Sequence, residues 1–287
     1  MKSALVTIAK NEELYLRDWI TYHSCLGFDE IYVVDNSDEG VTTQFNLCNY
    51  YSKIYPVKCI YCCGRETLKN MGLQQGVYKN VYNYIKENSK DIDWIAYIDV
   101  DEYLYLDGMS INNFLCQDKF KYVDLIHVNW KCYGDNDLVN YEPRPVTERF
   151  TKPLPIDAMY NNQFIGKDIF VNMHVKSIVR VNDKEPVFDS VHTFHYDKDI
   201  KGNCVNVAGE PVDCRLSYQA ICYNGGHIKH FVTKSTEEFI ERRLKDNPRI
   251  DGDFNRDKTV EIESYFNINT KTYSKIKLIE QKTGIKL

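Results

Sequence analysis

Two aspartates one residue apart, Asp99 and Asp101, leave an apolar run at 94–98 in "DWIAYIDVDEYLYL" (93–106). Glu102 follows directly, and then more apolar residues. Carboxylates at i and i+2, at the point where a strand enters a turn, can both face one hard cation. Mg²⁺ or Mn²⁺ takes oxygen ligands and keeps positions open for substrate phosphates. A site with few protein carboxylates suits a metal carried largely by a diphosphate. Two other readings compete: a solvated turn after a strand, and a nucleophilic first aspartate in covalent phosphoryl chemistry.

The elements that must position this pair can be read from the periodicity. Residues 4–9, "ALVTIA", form a short β-branched apolar run, hence a buried strand. Asn11 is expected to cap a helix with Glu12 and Glu13 in its first turn, Leu16, Trp19, Ile20 and His23 on one face, and Gly27 at its end. A second strand runs from 30 into the polar turn "DNSDEG". A third is expected over 53–62, pushed toward an edge by Pro56. Residues 66–89 read as helical, with breaks near Gly72 and Gly76, and "WIAYID" is a fourth strand. This β-α-β-(α)-β-α-β order predicts a mostly parallel α/β sheet with covering helices. Ligands of such sheets bind beyond the carboxyl ends of the strands. That edge would hold residues 9–11, 35–37 and 99–102.

After Asp107 the order loosens. Strands are expected at 122–130 and 175–181, with a long Pro/Asn/Asp-rich loop between them. Ser235 and Glu238 spell a capping box for a helix over 235–244, stopped by Pro248. The first 250 residues read as one domain and 251–287 as a helical C-terminal extension serving acceptor, oligomer or membrane-surface contact.

Bulk properties narrow the function. The formal net charge of −5 argues against a general nucleic-acid binder. Ten cysteines in a chain of 287 residues, without a secretion signal, read as free buried thiols; Cys59, Cys62 and Cys63 lack the second pair that a zinc site needs. No apolar run approaches the roughly 20 residues that span a bilayer. The N-terminus reads as a strand rather than a leader, so the expected compartment is the cytoplasm. Near the C-terminus Lys271, Lys275, Lys277, Lys282 and Lys286 face only Glu280. They form a solvated helix face or a weak contact with anionic lipid at the inner membrane surface.

Taken in order, Lys10-Asn11-Glu12, Asp18-Trp19, Tyr22-His23, Asp35-Asn36-Ser37 and Trp94…Asp99-Val100-Asp101-Glu102-Tyr103 resemble a known group. It is the bacterial glycosyltransferase family 2-like group, akin to family 92 and the former DUF23 domain. "NWKCYG", "TERF", "KSIVR" and "HFVTKS" are similar to its later signatures, with Phe231 where a Tyr is usual. The resemblance covers about residues 4 to 240. A haloacid-dehalogenase-type phosphohydrolase, by contrast, places a small residue and then Thr after the second Asp, where this chain has Glu102 and Tyr103.

The resemblance implies a GT-A (Rossmann-like) fold and transfer of a sugar from a nucleotide sugar, most simply a UDP-sugar, to a saccharide or glycoconjugate acceptor with inversion. Surface polysaccharide synthesis is the implied setting, and Mn²⁺ or Mg²⁺ the implied cofactor. Asp35 takes the place that accepts uracil N3–H, with an Asx-turn as its plain alternative. Thr7, Lys10 and Asn11 border the nucleotide, and Lys69 and Asn70 touch base or phosphate. Asp101 ligates the metal, while Asp99 binds it too or holds the ribose or a metal-bound water. His230 is the third ligand, with His192 as rival, and Lys234 meets the diphosphate. Glu148 is the base, with Asp135 and Asp137 as alternatives and a salt bridge to Arg144 or Arg149 as its non-catalytic reading. A phosphohydrolase using Asp99 and a non-catalytic sugar-nucleotide-binding protein remain the competing functions.

Overall fold

The computed structural model describes residues 1–159, 169–196, 203–244 and 257–287. They form two compact units: residues 1–130 with 174–228, and residues 131–173 with 229–287. The elements begin β1 (Ser3–Ala9), α1 (Glu13–Leu26), β2 (Glu30–Asp35), α2 (Thr43–Tyr51) and β3 (Val57–Tyr61). Next come α3 (Arg65–Asn70), α4 (Leu73–Asn88), β4 (Trp94–Tyr97), β5 (Glu102–Tyr105), α5 (Ile111–Leu115) and β6 (Leu125–Tyr133). The rest are α6 (Val146–Arg149), β7 (Val175–Arg180), β8 (Cys204–Asn206), β9 (His227–Phe231), α7 (Thr236–Phe239), α8 (Lys258–Ile268) and α9 (Tyr273–Thr283).

The expected α/β architecture is present. In the first unit the strands run β3-β2-β1-β4-β7-β6, continuing through β9 to β5, with β8 on β6. The stretch β3-β2-β1-β4 is parallel, and β4 and β6 each pair β7 antiparallel. Every residue of β1 is buried, as expected of a central parallel strand covered on both faces. β3 lies at the sheet edge with patchy burial, as expected, but it spans Val57–Tyr61 and not 53–62, so Pro56 precedes the strand. After β3 the chain returns past β1 to form β4. The strand order therefore reverses beside β1, where parallel sheets open their binding crevice.

Several local expectations are corrected. The residue capping α1 is Glu12, not Asn11; Asn11 adopts a left-handed backbone with φ 55° and turns its amide toward Asp38. Gly72, with φ 86°, does separate α3 from α4, but Gly76 lies inside α4. A Cβ there would stand 1.8 Å from the Met71 carbonyl oxygen, so Gly76 permits a close approach instead of a break. β5, β8 and β9 lie in segments too short or too polar to stand out by alternation. Not all thiols are buried either: Cys25 and Cys116 are exposed.

The second unit joins an apolar cluster of Phe239, Ile240, Leu244, Ile262, Tyr265 and Ile279 to a set of buried polar contacts. Arg149 donates two hydrogen bonds to Glu238, at 2.7 and 2.9 Å. Glu238 also completes the expected capping box with Ser235. Pro248 lies outside the described residues. Lys275, fully buried, pairs with Asp135 at 2.6 Å and Asp137 at 3.2 Å. Tyr265 of α8 donates to the same Asp135 carboxylate, and Asn269 accepts the Asp135 backbone N–H at 2.7 Å. Lys275 therefore does not belong to a solvated or lipid-facing lysine row: its charge is neutralised inside the unit. Lys271, Lys277, Lys282 and Lys286 remain exposed. Among the described residues no helix is long and apolar enough to cross a membrane.

Candidate active site

The end of β2 carries the first group. Asp35 is fully buried. Its Oδ1 accepts from the Ser37 backbone N–H at 3.0 Å, the Ser37 hydroxyl at 2.6 Å and the Gln44 amide at 2.7 Å. The Asx-turn expected as the plain alternative is therefore made, but by one oxygen alone. Oδ2, equally buried, has no hydrogen-bond partner among the described residues, and neither does the buried Thr7 hydroxyl on β1. A buried carboxylate oxygen without a donor is costly, so such an atom asks for a ligand. Gln44, which no motif singles out, ties this corner together. Its amide also donates to Ala9 O at 3.0 Å and accepts from Glu12 N at 3.1 Å. Lys10 pairs with Asp38 at 2.9 Å. Lys69 and Asn70 are exposed at the end of α3, with Lys69 3.3 Å from Glu66.

The carboxylate turn follows β4. It closes as a reverse turn, with Glu102 N–H on Asp99 O at 3.0 Å. The Glu102 side chain returns to accept Asp99 N–H at 2.9 Å. The Trp19 indole N–H of α1 is shared between Asp99 O at 3.0 Å and Glu102 O at 2.9 Å. One turn later on α1, Tyr22 OH donates to Leu104 O at 3.0 Å, and His23 Nε2 accepts Leu104 N–H at 3.3 Å. Trp19, Tyr22 and His23 thus bolt the turn and β5 to α1.

The side chains of the turn differ in access. Asp99 is 36% exposed at its side chain, while Asp101 is nearly buried. Lys176 of β7, the lysine of "KSIVR" and not among the residues expected at the site, donates to Asp99 Oδ2 at 2.8 Å. It also lies 3.6 Å from Glu102 Oε2. The antiparallel pairing of β4 and β7 brings it there, because the start of β7 lies beside the end of β4. Burial alone would lower the Lys176 pKa, but the charges of Asp99 and Glu102 and the nearby Tyr78 outweigh it and leave it raised. Burial, reinforced by Asp99 and Asp101 against Lys176, lifts the Glu102 carboxyl well above the usual range. Tyr78 OH sits 3.5 Å from Asp99 Oδ1, and its pKa is raised by burial and then by Asp99.

Asp99 and Asp101 offer hard oxygen donors, one of them open to solvent, which fits a divalent cation with few protein ligands. Among the described residues no group of three or more His, Cys, Asp or Glu side chains gathers to hold a metal. His192 belongs to the first unit, its ring 5.3 Å from Trp130 and 5.8 Å from His174. The remaining expected residues belong to the second unit. There His230 Nδ1 is 4.0 Å from Cys132 Sγ, and Lys234 is buried with φ 56°. Glu148 is exposed on α6, and the expected salt bridge is not made: Arg149 holds Glu238 and Arg144 holds Glu142. Of the alternative bases, Asp135 is buried with Lys275 and Tyr265, while the Asp137 side chain is 62% exposed.

No protein-family profile matches the chain. A glycosyltransferase family 92 protein of Arabidopsis thaliana is 26% identical over 144 residues, 49% of this chain and 23% of that protein. One from Oryza sativa subsp. japonica is 24% identical over 202 residues, 68% of this chain and 30% of its own length. The chain therefore spans less than a third of the curated relatives it matches. Among solved structures, S. aureus TarS overlays with a TM-score of 0.38 at 15% identity, over 84% of this chain and 38% of that one. The glycosyltransferase GlyE of Streptococcus pneumoniae TIGR4 gives 0.29 at 14%, over 45% and 30%. The sequence similarity agrees with the ordered motifs: this chain resembles the glycosyltransferase family 92 proteins.

Proposed function

We propose that this protein is a metal-dependent glycosyltransferase that moves a sugar from a UDP-sugar to a saccharide acceptor with inversion. The observation that carries the reading is the buried, partnerless Oδ2 of Asp35 at the carboxyl edge of the parallel sheet. It suits the single N–H donor that a uracil ring presents at N3. Thr7 Oγ1, on the neighbouring strand and also partnerless, offers a second polar contact to the base. Lys10 borders the phosphates. Asp101 and Asp99 hold the cation, and Mn²⁺ or Mg²⁺ there would offset the charge of the departing diphosphate. Trp19 and Glu102 fix the backbone of that turn, so the carboxylates need little reorganisation when the donor binds. Glu148, an exposed carboxylate, is the residue assigned to taking the acceptor's proton. The names of the family 92 relatives support the reaction class.

The test is a thermal-shift and hydrolysis screen of UDP-, GDP-, CMP- and dTDP-sugars with Mn²⁺ or Mg²⁺. UDP-sugars should raise the melting temperature in a metal-dependent way and be hydrolysed slowly. Absence of any metal-dependent nucleotide binding overturns the proposal. In the Asp101→Ala variant turnover should disappear while the far-UV spectrum is kept; full activity would remove the metal assignment.

A further inference from the structure

We propose that Lys176 is a resident cation of the 99–102 turn, a positioning residue that makes divalent-metal binding there conditional on the donor's diphosphate. The inference rests on the assignment of Asp99 and Asp101 as the metal carboxylates.

The Lys176 side chain is 1% exposed, while the Asp99 carboxylate it holds is 36% exposed. Its ammonium donates to Asp99 Oδ2 at 2.8 Å and Val191 O at 3.3 Å, and lies 3.6 Å from Glu102 Oε2. Swinging away from a second cation would break both hydrogen bonds inside a buried site. Its positive charge, next to a metal carboxylate and shielded from water, opposes any cation that approaches alone. A metal chelated to a diphosphate meets less opposition, because the phosphates bring their own negative charge. The same contact engages Asp99 Oδ2 with a cationic donor, while Oδ1 meets the weaker Tyr78 hydroxyl at 3.5 Å. Lys176 thus makes the two oxygens unequal and favours metal and nucleotide arriving together.

The experiment is a Mn²⁺ titration of the full chain, followed by the EPR signal of free Mn²⁺, with and without UDP. In the wild-type protein UDP should tighten Mn²⁺ binding by about tenfold or more. In Lys176→Met, Mn²⁺ alone should bind about tenfold more tightly than to wild type, and UDP should add little. A Lys176→Met protein with wild-type Mn²⁺ affinity and a wild-type UDP effect overturns the inference while leaving the metal reading intact. A wild-type protein that binds no Mn²⁺ even with UDP overturns both. Breaking a buried ion pair can unfold a domain. If the single variant does not fold, Lys176→Met/Glu102→Gln removes the second charge as well. The same two outcomes then decide.

Discussion

The indole N–H of Trp19 reaches the carbonyl oxygen of Glu102 at 2.9 Å, across 83 residues of sequence. The same hydrogen also serves Asp99 O, so one helix side chain closes both ends of the turn that carries the two aspartates. Trp19→Phe keeps most of the buried ring and removes this donor. The buried Glu102 carbonyl then loses this donor, at a cost of about 1–3 kcal/mol, while Asp99 O keeps the Glu102 N–H. Urea unfolding should show that loss, and Mn²⁺ binding in the presence of UDP should weaken. Unchanged metal binding in a folded variant would show that the turn keeps its shape without Trp19.

Asp35 makes a prediction about base choice. Asp35→Asn can keep the three hydrogen bonds at Oδ1 while turning the partnerless Oδ2 into an N–H donor. Uracil N3 is a donor and cytosine N3 an acceptor. UDP affinity should therefore fall by about tenfold or more, and CDP should gain relative to UDP. Calorimetric titration with both nucleotides checks this. Equal losses for the two would place the base elsewhere.

Much of this corner was legible in the sequence. The alternation of apolar runs with helix signals located β1, β2, β4 and the edge strand β3. The apolar face Leu16, Trp19, Ile20 and His23 is the buried face of α1. What periodicity cannot report is which backbone atom a buried polar tip will find. The tips of Trp19, Tyr22 and His23 bind the turn and β5, and that strand is too short to announce itself. Lys176 was hidden for a related reason. A lysine at the start of an apolar strand reads as a solvated end, and only the antiparallel pairing of β7 with β4 turns it inward. Lys275 misled in the same way, because its partner Asp135 lies 140 residues earlier.

His23 predicts a pH dependence. Burial pushes its pKa down to about 3, from an ordinary value near 6.5. In the neutral ring Nδ1–H donates to Trp19 O and Nε2 accepts Leu104 N–H, an arrangement that a second ring proton would break. Between about pH 6.5 and pH 3 the unfolded chain holds this proton and the folded chain does not, so stability falls as pH drops through that window. The slope approaches about 1.4 kcal/mol per pH unit. His23→Gln should lack this component when urea midpoints are compared at several pH values. Parallel curves for the two proteins would exclude it.

In the second unit, Lys275→Met leaves Asp135 buried with Tyr265 and no counter-charge. A loss of about 3–5 kcal/mol is expected, measured as a drop in the urea midpoint. Asp135→Asn in the same background should recover part of it. A single variant as stable as wild type would mean that water reaches Asp135.

The bolting of the carboxylate turn to α1 also dictates a sequence of events. β1, α1, β2, α2 and β3 are near neighbours along the chain, and their contacts close small loops. The links from Trp19, Tyr22 and His23 to residues 99–104 close loops of about eighty residues, which form more slowly. During refolding the corner at Asp35, proposed to meet the base, should therefore take shape before the turn proposed to hold the metal. On the proposed assignment, a partly folded chain would recognise the nucleoside before it could grip the diphosphate.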